Sequence, residues 1–169
     1  MSPTHPEHEH RPAASLRTGP SGTLDEKSKL IVEELQADGR RSYAAIGKSV
    51  GLSEAAVRQR VARLVESGAV QIVAVTDPMQ LGFARQAMLG IRVRGDIQAV
   101  ADRLAEFEEI DYLVVTAGSY DLMAEVVCEN DEQLFHLINN RIRTIDAVLS
   151  TETFMYLSLR KQQYDWGTR

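Results

Sequence analysis

Ser42-Tyr43-Ala44-Ala45-Ile46-Gly47-Lys48-Ser49-Val50-Gly51-Leu52-Ser53-Glu54-Ala55-Ala56-Val57-Arg58-Gln59-Arg60-Val61-Ala62-Arg63-Leu64 reads as two short helices joined by a turn centred on Gly51, a helix-turn-helix. Ser53 follows the turn directly, where its hydroxyl can accept from a backbone N–H of the next helical turn. Val57, Val61 and Leu64 then recur at helical spacing and form the buried seam of the second helix. At about 100° per residue, Ala55, Gln59 and Ala62 lie opposite that seam, with Arg58 and Arg63 on its flanks. Arg60 is the third arginine expected on the exposed faces. Small and amide side chains at the centre with guanidinium groups at the rims suit the major groove of double-stranded DNA. The small residues admit close approach, Gln59 reads a base edge, and the arginines reach bases or phosphates. The candidate DNA-contacting residues are therefore Ser42, Tyr43, Ser53, Glu54, Ala55, Arg58, Gln59, Arg60 and Arg63. A structural hairpin with a solvated basic face is the competing reading.

Outward from this stretch, charge divides the chain. The whole carries a net charge of −5, unlike the basic balance usual in a nucleic-acid domain. Residues 40–66 nevertheless carry a net +4, and residues 85–160 a net −6. The acidity thus belongs to a second region, where it repels a phosphate backbone and favours other partners. The length of 169 residues fits one medium domain or two small ones. No run approaches the roughly 18 apolar residues of a membrane span, and no signal peptide opens the chain. Cys128 is the only cysteine, which excludes an intrachain disulfide and agrees with a reducing cytoplasm. It sits among alternating apolar residues and reads as a buried hydrophobe rather than a nucleophile.

Residues 1–22 hold four of the five prolines with little apolar content and read as a disordered tail. His5, His8 and His10 are spaced like a weak chelator, but a tail has no groups to orient them, so no metal site is assigned. Residues 23–69 form the helix-turn-helix domain, in which Asp25 caps a first helix bearing Leu30, Ile31 and Leu35, and Gly39 stops it. Gly68 closes the third helix. Residues 70–82 form a linker in which Val70 to Thr76, rich in β-branched residues, reads as a strand ended by Asp77-Pro78.

Residues 83–160 then run strand–helix–strand–strand–helix–strand, and residues 161–169 are a tail. Met88 to Arg94 is a strand, and Gly95-Asp96 opens a helix with Val100, Ala101, Leu104 and Phe107 on one face. Tyr112 to Ala117 and Leu122 to Cys128 are strands joined by Gly118-Ser119-Tyr120-Asp121. Asn130-Asp131 caps a helix with Leu134, Leu137, Ile138 and Ile142, and Val148 to Leu159 is the last strand. The fold class is α+β: a helix-turn-helix domain followed by a ferredoxin-like βαββαβ domain with both helices on one sheet face. The other face is expected to bear Leu113, Val115, Met123 and Val127 or their neighbours, and to seek a two-fold partner.

Several short motifs stand in register from Leu24 to about Tyr156: Leu24-Asp25, Asp38-Gly39-Arg40, Val50-Gly51-Leu52-Ser53, Val57-Arg58-Gln59-Arg60-Val61, Gly68-Ala69-Val70, and Asp77-Pro78 followed by Leu81-Gly82. Gly118-Ser119-Tyr120-Asp121 and Thr151-x-Thr153 join them in the second domain. In these the chain resembles the Lrp/AsnC (feast/famine) family of transcription regulators. Ser28 departs from that pattern where an acidic residue is common, and Ser119 where an acidic or small residue is commoner. The resemblance implies a DNA-binding homodimer that assembles further into tetramers or octamers. It also implies a small effector, usually an amino acid, held near the glycine-x-tyrosine-aspartate turn between C-terminal domains.

The chemistry is compatible with an effector there. Asp121 offers an acceptor for an ammonium, and a turn at Gly118-Ser119, with Gly118 taking positive φ, presents backbone N–H groups to a carboxylate. Thr151 and Thr153 lie two apart and share a strand face. The candidate effector residues are Gly118, Ser119, Tyr120, Asp121, Thr151 and Thr153. The same turn also reads as a plain hairpin whose Asp caps its own backbone, and the threonines as good strand formers.

Two alternatives share the two-domain plan. A tetrapyrrole (sirohaem-type) decarboxylase wants histidines and arginines around a large pocket, whereas His136, the single histidine of the second domain, reads as a surface or dimer-interface residue on the helix after Asp131. An effector-free DNA-organising protein keeps the reading helix without a ligand. No nucleophile with a base beside it, phosphate loop or metal cluster is visible, so no catalytic residue, cofactor or membrane partner is expected.

Overall fold

The computed structural model describes residues 24–168, and the tail and its histidines at 1–22 lie outside them. The described residues form two compact units: one runs to Ala74 and takes back the chain from Gln162, and the other is Val75–Lys161.

In the N-terminal unit each helix begins where a side chain replaces a missing helical partner. Asp25 accepts from Ser28 N at 2.7 Å and opens α1 (Glu26–Ala37). Ser42 accepts from Ala45 N at 3.2 Å and opens α2 (Tyr43–Val50). Ser53 accepts from Ala56 N at 3.2 Å and opens α3 (Glu54–Glu66). Ile31, Leu35, Ile46, Val50, Val57 and Val61 are buried together, one stripe from each helix. The α2–α3 crossing depends on two glycines. Gly51 ends α2 at φ 71°, a left-handed conformation that side chains resist. A Cβ on Gly47 would stand 2.5 Å from the Leu52 carbonyl oxygen, so the chain returning from the turn passes where any other side chain would be. The last residues also belong to this unit: Gly167 N donates to Gln36 Oε1 at 3.1 Å and Thr168 Oγ1 to Glu33 Oε1 at 2.5 Å, both on α1.

The strand expected over Val70 to Thr76 is not formed. Ile72, Val73 and Val75 are exposed, and no strand among the described residues pairs with the segment. β-Branched composition fits a pleated surface, but a strand requires a neighbour to take its backbone groups. Asp77 instead caps a single 3₁₀ turn, Pro78–Leu81, ended by Gly82.

The C-terminal unit contains β1 (Arg85–Val93), α4 (Ile97–Leu104), β2 (Ile110–Val115), β3 (Leu122–Cys128), α5 (Asp131–His136) and β4 (Val148–Met155). The sheet order is β2-β3-β1-β4 with every neighbouring pair antiparallel, the ferredoxin-like arrangement expected. Asp96 and Asn130 cap the two helices as the sequence predicts. Past His136 the helix widens into a π turn, Leu137–Ile142. That widening brings Leu137 and Ile142, five residues apart, both fully into the core.

Alternation sorts the sheet into two faces. Ala87, Leu89, Ile91 and Val93 of β1 and Leu122, Ala124, Val126 and Cys128 of β3 are buried in the core with Val100, Leu104 and Leu134 from the helices. Met88 and Met123 occupy the open face between them. Leu113 and Val115, expected on the open face, pair with Ala124 and Leu122 and therefore share the core-facing side. The register irregularity between Ile110 and Tyr112 sets this parity, and a shift of one residue turns every side chain over. Tyr112 and Val114 take the open-face positions instead. β4 stops at Met155, short of the expected Leu159, and Leu157 and Leu159 are exposed. Cys128 is fully buried, and burial, with Glu109 and Asp111 nearby, pushes its thiol up to about 11.

Candidate functional site

The outer face of α3 carries Ala55, Gln59, Ala62 and Arg63, all exposed as the helical spacing requires. Arg63 has no ion-pair partner among the described residues. Arg58 is also exposed but is oriented: its guanidinium donates to Glu54 at 2.6 Å, one helical turn back, and lies 5.4 Å from the centroid of the Tyr43 ring on α2. Glu54 and Tyr43 thus hold an arginine in place at the rim of this outer face. Ser42 and Ser53 spend their hydroxyl acceptor capacity on the helix caps.

Arg60 departs from the expectation. Its guanidinium turns away from the outer face and donates to the Asp25 carboxylate at 2.6 Å and to Ser28 Oγ at 3.2 Å. This pairing and the Ser28 N–H hold the Asp25 carboxyl down at about 2. Ser28 is buried at this junction, so Arg60 ties α3 to the start of α1. A helical wheel places Arg60 at an angle between core and solvent but says nothing of what a long side chain reaches. Lys48, exposed on α2 and part of the +4 of residues 40–66, is a further cation of this unit outside the candidate DNA-contacting residues.

In the C-terminal unit the turn between β2 and β3 is pinned to β1. Asp121 N donates to Ile91 O at 3.0 Å, and Val93 N donates to Asp121 Oδ2 at 2.7 Å. Thr116 Oγ1 donates to Tyr120 O at 2.7 Å. Asp121 is therefore engaged, through one carboxylate oxygen, in fixing the turn. Gly118 does not adopt the positive φ expected of it, and a Cβ there meets nothing within 4 Å.

Beside this turn lies a depression of about 350 Å³ lined by Arg92, Ser119, Tyr120, Ser150, Thr151 and Glu152. The fold thus brings together three of the expected effector residues, Ser119, Tyr120 and Thr151, and leaves Gly118, Asp121 and Thr153 off its wall. The Tyr120 ring lies across β1 against Gly90, where a Cβ would come within 2.7 Å of it. Its hydroxyl donates to the Glu152 carboxylate, and its ring meets Phe154 edge to face with centroids 6.0 Å apart. Arg92 and Glu152 were not singled out in sequence. Every strand of the sheet carries at least one charged residue, so a charge inside a strand does not mark these two.

Comparison with known proteins agrees with both units. The AsnC-type helix-turn-helix domain matches residues 24–65, and the C-terminal dimeric alpha+beta barrel domain of the AsnC type matches residues 84–169. The HTH-type transcriptional regulator FL11 of Pyrococcus furiosus is 34% identical over 143 residues, covering 83% of this chain and 94% of its own. The crystal structure of the leucine response regulatory protein LrpA of Mycobacterium tuberculosis superposes with a TM-score of 0.75 at 30% identity, covering 82% of this chain and 96% of that one. The regulator NMB0573 of Neisseria meningitidis, in complex with L-Met, shares the fold with a TM-score of 0.71 at 20% identity, over 85% of this chain and 96% of that one. The chain belongs to the Lrp/AsnC family of helix-turn-helix transcriptional regulators.

Proposed function

We propose that this regulator reads double-stranded DNA with the outer face of α3 and responds to an amino acid bound beside the turn at 118–121. The observation that carries the DNA reading is the surface of α3, where Ala55, Gln59 and Ala62 are exposed between Arg58 and Arg63. Gln59 is assigned to base edges and Arg58 and Arg63 to the rim, with Tyr43 and Glu54 acting through Arg58. Arg60 is assigned to the helix packing. Replacing Arg63 by Ala is expected to weaken binding to all sequences and to reduce the salt slope by about one unit. Replacing Gln59 by Ala is expected to relax preference at one or two base pairs instead. Unchanged DNA affinity in the Arg58→Ala, Gln59→Ala, Arg63→Ala triple variant overturns the assignment of this face.

The C-terminal unit supports pairing and effector binding in the same reading. Its open sheet face carries Met88, Met123, Tyr112, Val114 and Phe154, apolar surface that a second copy would cover, with dimers assembling further into tetramers or octamers. The depression beside the turn has polar walls suited to a small zwitterion, and the Neisseria relative of the fold was captured with L-Met. The assigned place of action is the cytoplasm, and no described helix is long and apolar enough to cross a membrane. A thermal-shift screen of the twenty amino acids tests the effector reading, because a ligand that binds only the folded state raises its apparent stability.

A further inference from the structure

Alternation fixes which charges stand on the open sheet face. Arg92 of β1 stands there, two residues past Gly90, opposite Ser150 of β4. Met88 stands two residues before Gly90, opposite Glu125 of β3. The guanidinium and the Glu125 carboxylate thus lie on either side of Gly90 at equal steps, each about 7 Å away along the strands. Neither is matched within its own chain. Arg92, Glu125 and the neighbouring Asp111 have no ion-pair partner among the described residues. Glu125 accepts from a neutral donor, Gln86 Nε2, at 2.7 Å, with the Tyr156 phenol beside it. Burial and the Glu125 charge raise the Asp111 carboxyl, so this end of the face is short of a cation. Glu152, the remaining charge, is held by the Tyr120 hydroxyl. A second copy covering this face isolates a guanidinium at one end and two carboxylates at the other, unless each copy supplies what the other lacks.

We propose that the open faces of two copies are held in register by two identical ion pairs, Arg92 of each copy on the Glu125 and Asp111 carboxylates of the other. This rests on the pairing of open faces proposed above and adds what aligns it. In a two-fold interface every contact from one position to another is made twice, once in each direction. A charged face therefore complements itself only if its charges differ in sign across the axis. A two-fold axis lying between the two sheets and crossing β1 at Gly90 meets that condition. It reverses the strand direction, so Arg92 of one copy lies over the Met88–Glu125 row of the other. Packed sheets stand about 10 Å apart, a gap that an arginine and a glutamate reaching from opposite sides close. The centre is apolar: Gly90 carries the Tyr120 ring, and Phe154 meets that ring edge to face. Dry surface there keeps water from the flanking ion pairs. A slip along the strands leaves both charges covered and unpaired, so the pairs reject wrong registers, and partners without the pattern, more than they add affinity.

The test is native mass spectrometry and sedimentation equilibrium on two full-length variants, Arg92→Glu and Glu125→Arg. Alone, each sets like charges against one another at both sites, and its dimer is expected to weaken roughly hundredfold or more. Mixed in equal amounts the two restore both pairs. Heterodimers are then expected to outnumber either homodimer and to dissociate within about tenfold of wild type. A folding failure in either variant cannot produce that recovery. Wild type supplies a reading without substitution: its dimer is expected to weaken as salt rises from about 0.05 to about 0.5 M. A wild-type dimer indifferent to salt overturns the proposal, and this titration decides the case if a variant fails to fold. If both variants self-associate as wild type does and mix at the statistical ratio, the ion pairs fall and pairing through the open face stands. If Arg92→Glu is rescued by Glu152→Arg in the same chain rather than by mixing, Arg92 serves its own sheet and the proposal falls. If wild type is monomeric at micromolar concentration, pairing and register fall together.

Discussion

In the N-terminal unit the arginines near the helix crossings are engaged by carboxylates of the same unit: Arg60 by Asp25, Arg58 by Glu54 and Arg41 by Glu34. In the C-terminal unit Arg85 is held by Asp131 and Arg141 by Glu109, yet Arg92 and Glu152 share a sheet face without touching. The contrast separates two uses of charge. A guanidinium held by a carboxylate on another helix fixes geometry and is spent there. One without an ion-pair partner among the described residues, as Arg63 on α3 and Arg92 on β1, keeps its donors uncommitted. Counting arginines along α3 therefore overstates the free cations of its outer face, because Arg60 is engaged by Asp25.

The strongest way to break the comparison is to remove packing from one unit and ask what the other's surface does. Leu89→Ala empties a fully buried site at the centre of β1, and is expected to cost about 2–5 kcal/mol in denaturant unfolding of the C-terminal unit. Helical signal from α1 to α3 is expected to persist through that transition, and loss of both units together would show that their stabilities are not separable. Gly47→Ala acts on the other side. The added methyl meets a backbone oxygen rather than a flexible side-chain end, so the helix-propensity gain of alanine does not compensate. The expected loss is about 1–3 kcal/mol, with weaker DNA binding because α3 is displaced against α2.

A smaller effect sharpens the role given to Arg60. The Asp25 carboxyl is held at about 2, below the roughly 3.9 of an unfolded chain. Its contribution is fully present above the unfolded value and disappears as pH falls through about 2. Thermal unfolding followed by helical signal is expected to show this acid sensitivity in wild type and a reduced one in Asp25→Asn. A pH profile unchanged by the substitution would remove Asp25–Arg60 from the ties of this unit. The least effect is expected at Gly118→Ala, within about 0.5 kcal/mol of wild type. That position has neither positive φ nor a neighbour within 4 Å. Denaturant unfolding checks this, and a large loss there would show that the turn does not tolerate a side chain at 118.

Much of the fold was legible because it is local. Asp25, Ser53, Asp96 and Asn130 each cap the helix their position predicts, and β3 spans Leu122–Cys128 as read. These features are decided within a few residues by hydrogen-bonding side chains and hydrophobic period. What escaped was relational. Val70 to Thr76 has strand composition without a partner, and the face of Leu113 and Val115 turns on one irregular step in the β2–β3 register. The candidate sites follow the same division. The exposure of Arg58, Gln59 and Arg63 on α3 follows from the helical period of one segment. Arg92 and Glu152 stand 60 residues apart and become neighbours only when β1 pairs with β4.

The burial of Cys128 gives the molecule a built-in clock. It is the only thiol in the chain, it lies on β3, and its proton is held up to about 11. Near neutral pH a thiol reagent finds neither an accessible sulfur nor an appreciable thiolate until the sheet opens. The rate of labelling therefore times the opening of the C-terminal unit alone, because the helix-turn-helix unit contributes no signal. Any change that stabilises the C-terminal unit is thereby read as a lengthened half-life, without an added probe site.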